Sequence, residues 1–478
     1  MDLIADLFID GEWRAGSGGD RFDVVDPADL SVIARFAVAT EADCLAAVDA
    51  AAAAQAGWAA TAPRERSELL RAAFEVFTAE ADVLAEIMVR ENGKAWADAA
   101  AEAAYATEFF RWFAEEAVRV RGDDRLAPAG DKRIVVDHRP IGVSLLVTPW
   151  NFPAAMATRK LAPALAAGCA VVLKPARQTP LTAAYVVDVL RRVGVPRGVV
   201  NLVTPAPTGP AVAAMLARDE VRKLSFTGST EVGRDLLRLC ADRVVSASME
   251  LGGNAPLVVL PGADLETAVA GALQAKMRNG GAACTAANRL YVHTSLHDAF
   301  VERFAAELEG LRIGRGLDRS HDLGALVSVA ERDKVAALVA AAIDDGARVV
   351  TGGPGAPVPD GGAYYPATLL ADVRHGSPVT QQEVFGPVAP VIRYDDVDDA
   401  VRMANDTIHG LVAYVFGEER EAVAVARRLE SGMVAVNRGV LSDPAAPFGG
   451  VKQSGLGREG GFDGIGEFLE TQYLALSA

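Results

Sequence analysis

The chain has 478 residues, 51% of them hydrophobic, enough for a large core and more than one domain. Its formal net charge is −16, with the acidic residues scattered, which excludes a nucleic-acid partner that reads basic patches. Apolar runs such as Ala50–Ala54 and Ala211–Ala217 fall short of a membrane span, and the start, Met1-Asp2-Leu3-Ile4-Ala5-Asp6, lacks the basic and apolar regions of a signal peptide.

Leu7 to Val38 reads as short strands with turns at Asp10-Gly11, Gly18-Gly19 and Asp26-Pro27. From Thr40 to about Glu116 the period is helical: Leu45, Val48, Ala52 and Trp58, then Leu69, Leu70, Phe74 and Phe77, recur at helical spacing. A polar break at Arg121-Gly122-Asp123-Asp124 precedes a regular alternation. Strand Val143–Thr148, helix Ala154–Ala167 closed by Gly168, strand Ala170–Leu173 and helix Leu181–Val193 closed by Gly194 come first. Strand Val199–Val203, a helix around Ala211–Leu216 and strand Lys223–Phe226 follow. Near-continuous apolar strands separated by helices predict a doubly wound, Rossmann-like α/β unit, which binds ligands outside the carboxyl ends of its strands. A second alternation, through Ala255–Leu260, Leu290–His293, a helix from His297 to about Leu308, and Val412–Phe416, predicts a second α/β domain. Gly352 to Gly362, rich in Gly and Pro, reads as a surface excursion.

Cys284 carries the strongest chemical signal. It sits in Arg278-Asn279-Gly280-Gly281-Ala282-Ala283-Cys284-Thr285, which has no helical or strand period, and a thiol on such a loop can meet a substrate. Cys44 and Cys240 lie in helical patterns and Cys169 opens a strand, where a cysteine packs as a small hydrophobe. Four cysteines in so long a chain fit a reducing cytoplasm, and none pairs with a histidine at zinc spacing, so no metal is expected. The glycines before Cys284 are expected to form a positive backbone nest that lowers its pKa. Upstream, Met249-Glu250-Leu251-Gly252-Gly253-Asn254 offers a carboxylate beside a glycine pair, and a thiol with a carboxylate base suits covalent chemistry at a carbonyl carbon.

Other segments are weaker singly. Thr227-Gly228-Ser229-Thr230-Glu231-Val232-Gly233 follows a strand and opens a helix, where backbone N–H groups can approach a pyrophosphate. Its glycine spacing is not the dinucleotide fingerprint, so an ordinary turn stays open. Lys174 ends a strand where a ligand would lie, and is otherwise a solvated charge. Asn151, in Trp150-Asn151-Phe152-Pro153, is either an oxyanion donor or the cap of the next helix. Glu383, in Gln381-Gln382-Glu383-Val384-Phe385-Gly386-Pro387, is either a ribose ligand or a surface glutamate.

In this order the segments resemble the aldehyde dehydrogenase superfamily, from Phe8-Ile9-Asp10-Gly11-Glu12-Trp13 to Pro447-Phe448-Gly449-Gly450-Val451-Lys452-Gln453-Ser454-Gly455. The resemblance implies Cys284 as nucleophile, Glu250 as general base and Asn151 as the side-chain half of an oxyanion hole. It implies Lys174 on the adenosine ribose, Glu383 on the nicotinamide ribose and Phe385 beside the nicotinamide. Thr227, Gly228, Ser229 and Gly233 match the pyrophosphate turn, with Trp150 and Leu251 as further coenzyme contacts. The family fold implies a coenzyme-binding domain (1–117 and 138–252), a catalytic domain (253–446) and a small β oligomerisation arm (118–137 and 447–478). A homodimer or homotetramer follows from that arm.

Within the superfamily the chain is similar to the succinate-semialdehyde dehydrogenase group. Arg159, in Ala154-Ala155-Met156-Ala157-Thr158-Arg159-Lys160, and Arg278 match its carboxylate-binding arginines, and Ser442 their hydroxyl partner. Two guanidinium groups would select a carboxylated aldehyde such as succinate semialdehyde, unless either pairs with a local acid. Arg177 stands where many NAD-preferring members carry glutamate, so NADP is expected over NAD, with NAD possible. Ala286 stands where some members carry a second cysteine, so no redox-switch disulfide is expected. The rival readings are a broad-specificity or betaine-type aldehyde dehydrogenase, a non-catalytic scaffold protein and a cysteine esterase.

Overall fold

Strands Val143–Val147 and Val171–Lys174 are buried at every residue, which only a sheet covered on both faces allows. In the computed structural model, which describes residues 3–477, they lie at the centre of an eight-stranded sheet. Met1, Asp2 and Ala478, at the ends of the expected segments, lie outside the described residues. Ser246–Glu250, Val221–Thr227, Val143–Val147, Val171–Lys174 and Val200–Leu202 run parallel in that spatial order. Gly455–Leu456 pairs antiparallel at one edge, and the N-terminal hairpin Leu7–Ile9 and Glu12–Arg14 closes the other.

The crossover helices start and stop where their sequence dictates. Pro153 and Pro180 open helices Pro153–Ala167 and Pro180–Arg192, where a fixed φ suits the first turn and the missing N–H costs nothing. Gly168, at φ +96°, ends the first in a left-handed conformation that a Cβ would disfavour. Helix Pro153–Ala167 is buried throughout, covered by the alanine-rich helices Pro63–Ala79 and Trp96–Glu116.

A second sheet has seven strands in the order Arg348–Thr351, Thr368–Ala371, Val388–Tyr394, Ala287–His293, Ala255–Val259, Val412–Phe416 and Met433–Val436. All but the first are parallel. Val269, Phe300 and Phe304 cover one face, and Val335, Val339 and Val401 the other. Gly352 to Gly362 is irregular and mostly exposed.

Strands Asp123–Leu126, Lys132–Pro140 and Leu469–Ser477 form a separate antiparallel sheet that exposes Leu126, Tyr473, Leu474 and Leu476. This narrows the expected arm segment at 447–478. Residues up to Phe468 return to the main body, where Gly455–Leu456 joins the first sheet and Glu459 and Phe468 are buried. Among the described residues, no helix is long and apolar enough to cross a membrane.

Candidate active site

The carboxyl ends of the central parallel strands open onto a cavity of about 340 Å³. It brings together Trp150, Asn151, Lys174, Thr227, Gly228 and Ser229 from one stretch of chain, and Leu251, Cys284, Glu383 and Phe385 from later ones. Lys174, Thr227 and Glu250 are each the last residue of a strand, so parallel alignment sets three functional groups along one edge.

The turn after Thr227 is built for close approach. A Cβ on Gly228 would come within 2.4 Å of the Phe226 ring, and one on Gly233 within 2.4 Å of Leu251 Cδ2. Gly233 therefore seats helix Thr230–Ala241 against Leu251 rather than lining the cavity itself. Ser229 caps that helix, its Oγ accepting from the Val232 N–H at 3.4 Å, while the Thr227 hydroxyl is buried without a partner among the described residues. Phe385 adopts φ +55°, a conformation that costs about 1 kcal/mol or more for a side chain of this size, with its ring edge-on to Trp150 at 5.3 Å. Burial raises the Glu383 carboxyl to about 7, and the Gly253 N–H donates to it at 3.2 Å.

Lys174 also lines an adjoining cavity of about 500 Å³ with Phe22, Asp23 and Arg177. Burial, then the charge of Arg177, lowers its ammonium to about 8. The Arg177 guanidinium lies 4.4 Å over the Phe22 ring, and Asp23, the carboxylate of this cavity, is paired with Arg35 at 3.0 Å. Two cations therefore face the cavity with no ion pair of their own among the described residues. Together with the unpartnered Thr227 hydroxyl and the open backbone at Gly228, this donor set fits a nicotinamide dinucleotide.

The loop before Cys284 is more ordered than its composition suggests. Arg278–Gly281 forms a tight turn in the left-handed region, with Asn279, Gly280 and Gly281 at φ +57°, +60° and +74°. A Cβ on Gly281 would come within 2.1 Å of the Gly386 carbonyl oxygen. The Asn279 side-chain amide, which pattern reading missed, donates to the carbonyls of Asn151 and Ala282, both at 2.9 Å. It ties the expected oxyanion residue to the nucleophile loop; a polar residue between apolar helix and glycines was the available signal. Asn151 does not cap helix Pro153–Ala167. Glu102 takes that role, accepting from the N–H groups of Ala154 at 2.9 Å and Ala155 at 3.2 Å. Lys94, paired with Glu102, donates to the Asn151 carbonyl at 2.9 Å. The Asn151 side-chain amide makes only a long contact, 3.3 Å, with the Ala282 carbonyl.

Cys284 is partly open to the cavity, unlike the other three cysteines. Its thiol is not lowered as expected. Burial pushes it up to about 12, outweighing the nearby Arg159, and the carboxylates Glu383 and Glu250 reinforce the shift. Glu250 is also held well above the usual carboxylate range, by burial and by Glu459, against the pull of Arg159 and Lys160. Its oxygens have no partner among the described residues, and a Cβ on Gly449 would lie within 2.8 Å of Oε1.

Arg159 departs from its expected role in one respect. It is buried and ion-paired with Glu459, which Lys160 also engages, and its guanidinium lies 4.4 Å over the Phe448 ring. Burial opposes the charges here, yet the mutual attraction keeps Arg159 protonated and lowers Glu459. The local-acid alternative therefore holds for part of this side chain. Arg278 is different: it stacks 5.4 Å over Phe152, touches Thr285 Oγ1 at 3.3 Å and makes no ion pair among the described residues. Ser442 is half-buried on the loop before Phe448, and no hydrogen bond joins it to either arginine among the described residues.

Two α/β sheets meeting at a thiol-floored, cation-lined cavity are the frame of a dinucleotide-dependent oxidoreductase. Residues 13–474 match the Aldehyde dehydrogenase family, and the chain belongs to that family. It is 49% identical to the succinate-semialdehyde dehydrogenase of Paenarthrobacter nicotinovorans, over 93% of this chain and 99% of that protein. It is 44% identical to the NADP(+) succinate-semialdehyde dehydrogenase of Escherichia coli K12, over 98% and 97%. A crystal structure of an NADP-dependent enzyme from Escherichia coli superimposes with a TM-score of 0.97 at 43% identity, covering 100% of this chain and 98% of that one.

Proposed function

We propose that this aldehyde dehydrogenase oxidises a short ω-carboxy aldehyde, succinate semialdehyde foremost, to the dicarboxylate, with NADP preferred over NAD. The observation that carries the substrate reading is Arg278, a cation beside the nucleophile loop that makes no ion pair among the described residues. The substrate named for the two relatives points the same way. Arg177 beside Lys174 supports the coenzyme preference, since two unneutralised cations favour a 2′-phosphate. The exposed apolar residues of the three-stranded sheet support a homo-oligomer, and the free cysteines a cytoplasmic setting.

In this reading Cys284 Sγ attacks the carbonyl carbon, and the Asn151 amide with the Cys284 N–H holds the charge that develops on oxygen. A dinucleotide held by Lys174, Glu383, Phe385 and the turn at Gly228 supplies the hydride acceptor when bound. Glu250, a strong base by virtue of its burial, takes the proton from the water that cleaves the acyl–sulfur bond. The carboxylic acid leaves and the thiol is restored.

Initial rates of nicotinamide reduction with succinate semialdehyde, glutarate semialdehyde and butanal, each with NADP and NAD, test both parts. Butanal matching the acids in kcat/KM overturns the substrate assignment. Equal or better kcat/KM with NAD overturns the coenzyme assignment.

A further inference from the structure

The loop after Glu250 is held by a histidine that the reaction itself does not use. His409 lies just before strand Val412–Phe416 of the second sheet and brings Nδ1 to 2.9 Å from the Gly252 carbonyl oxygen. A carbonyl only accepts, so Nδ1 carries the proton and donates. The Ser454 hydroxyl donates to the same oxygen at 2.7 Å, and is itself fixed by the Gly410 N–H at 2.9 Å. Burial lowers the His409 imidazole below its ordinary value, so the ring is neutral at about pH 7 and Nδ1–H is its one donor.

The other end of that peptide unit serves the coenzyme side. Gly252 C=O and Gly253 N–H belong to one planar group, and the N–H donates to Glu383 Oε1 at 3.2 Å. A Cβ on Gly252 would lie 3.1 Å from Glu383 Oε2 and 3.4 Å from His409 Cε1, so imidazole and carboxylate flank one glycine with no room for a side chain. A Cβ on Gly253 would come within 2.2 Å of the Cys284 carbonyl oxygen, so the same unit rests against the nucleophile. Gly252, Cys284 and Glu383 all line the 340 Å³ cavity. Paired glycines leave the backbone free to turn here, so the direction of the unit must be held from outside. A carbonyl that accepts two hydrogen bonds also polarises the N–H of its own group.

We propose that His409 is a positioning residue for the coenzyme: with Ser454 it locks the Gly252–Gly253 peptide so that the Gly253 N–H aims Glu383 at the nicotinamide ribose. The proposal rests on the ribose role given to Glu383 above. His409 acts through one peptide unit, on a part of the coenzyme that NADP and NAD share.

His409→Leu removes the donor, and His409→Asn returns an N–H close to the place of Nδ1. Each is assayed for coenzyme kcat/KM with NADP and with NAD, and for the rate at which iodoacetamide alkylates Cys284 without coenzyme. In His409→Leu, kcat/KM falls roughly fivefold with both coenzymes and alkylation stays within about twofold, as loss of one hydrogen bond predicts. His409→Asn recovers most of the loss. An unchanged kcat/KM, a fall with NADP alone, a fall that His409→Asn does not recover, or a matching change in alkylation overturns the role of His409. Glu383→Gln checks the underlying reading. Coenzyme kcat/KM that survives this change overturns the ribose role of Glu383 and the proposal with it, whereas a fall here beside an unchanged His409→Leu overturns the proposal alone.

Discussion

The two sides of Cys284 treat positive charge differently. On the coenzyme side, Lys174 and Arg177 stand together at a cavity where the lining carboxylate, Asp23, is engaged by Arg35, and neither cation makes an ion pair among the described residues. On the other side, Arg159 and Lys160 share Glu459 in the interior, and Arg278 makes no ion pair among the described residues. A cation that already has an acid is part of the scaffold, because removing the acid strands a buried charge. One without an acid is available to an anionic ligand. The contrast divides the site into charges that hold the fold and charges that select what binds.

Cys284 serves both sides, so Cys284→Ala has the largest expected effect. Turnover falls by roughly four orders of magnitude or more, as for other deleted nucleophiles. Coenzyme binding, followed by fluorescence titration, is retained because the cations and the turn at Gly228 are untouched. Loss of coenzyme binding along with activity breaks the division between the two sides.

Stability separates the two kinds of cation next. Glu459→Gln leaves Arg159 and Lys160 buried without a counter-charge and costs about 3 kcal/mol or more in urea unfolding. Arg177→Gln, at an exposed side chain with no ion pair among the described residues, shifts stability by about 0.5 kcal/mol at most. Equal effects would show that the pairing does not mark scaffold from ligand site.

Arg278→Gln acts on selection alone. The KM for succinate semialdehyde rises by roughly a hundredfold, the scale expected when a desolvated carboxylate is deprived of its guanidinium partner. Butanal, which offers no carboxylate, keeps its kcat/KM. A parallel fall on butanal would mean that Arg278 shapes the loop before Cys284 instead.

The strand alternation and the cavity are readable from sequence for a common reason. Buried parallel strands leave apolar runs, and their carboxyl ends fix where ligand groups such as Lys174 and Thr227 must fall. What sequence hides are partnerships between distant residues. Lys160 and Glu459 are 299 positions apart, and nothing local marks Glu459 as an interior acid. Glu102 supplies the cap for which Asn151 is the local candidate, from a helix 52 positions away. The glycines before Cys284 suggest a lowered thiol, but the direction of a pKa depends on burial and on charges that only the fold assembles. Phe22 beneath Arg177 is a further case: an N-terminal strand residue carries no signal that it will support a cation from the parallel sheet.

The smallest effect is the most direct measure of how Lys174 and Arg177 act on each other. The Lys174 ammonium lies at about 8, lowered first by burial and then by Arg177. Lysine binds a coenzyme oxygen best when protonated, so KM for NADP is lowest below pH 8 and rises as pH passes through that value. Arg177→Gln removes a neighbouring positive charge, which favours the protonated form. The break in the KM–pH profile therefore moves to higher pH, although KM at about pH 7 rises roughly tenfold because the variant lacks one cation of its own. The two changes run in opposite directions, and a general weakening of the pocket cannot produce both. A break that stays in place would show that Arg177 is turned towards Phe22 and solvent, with no influence on Lys174.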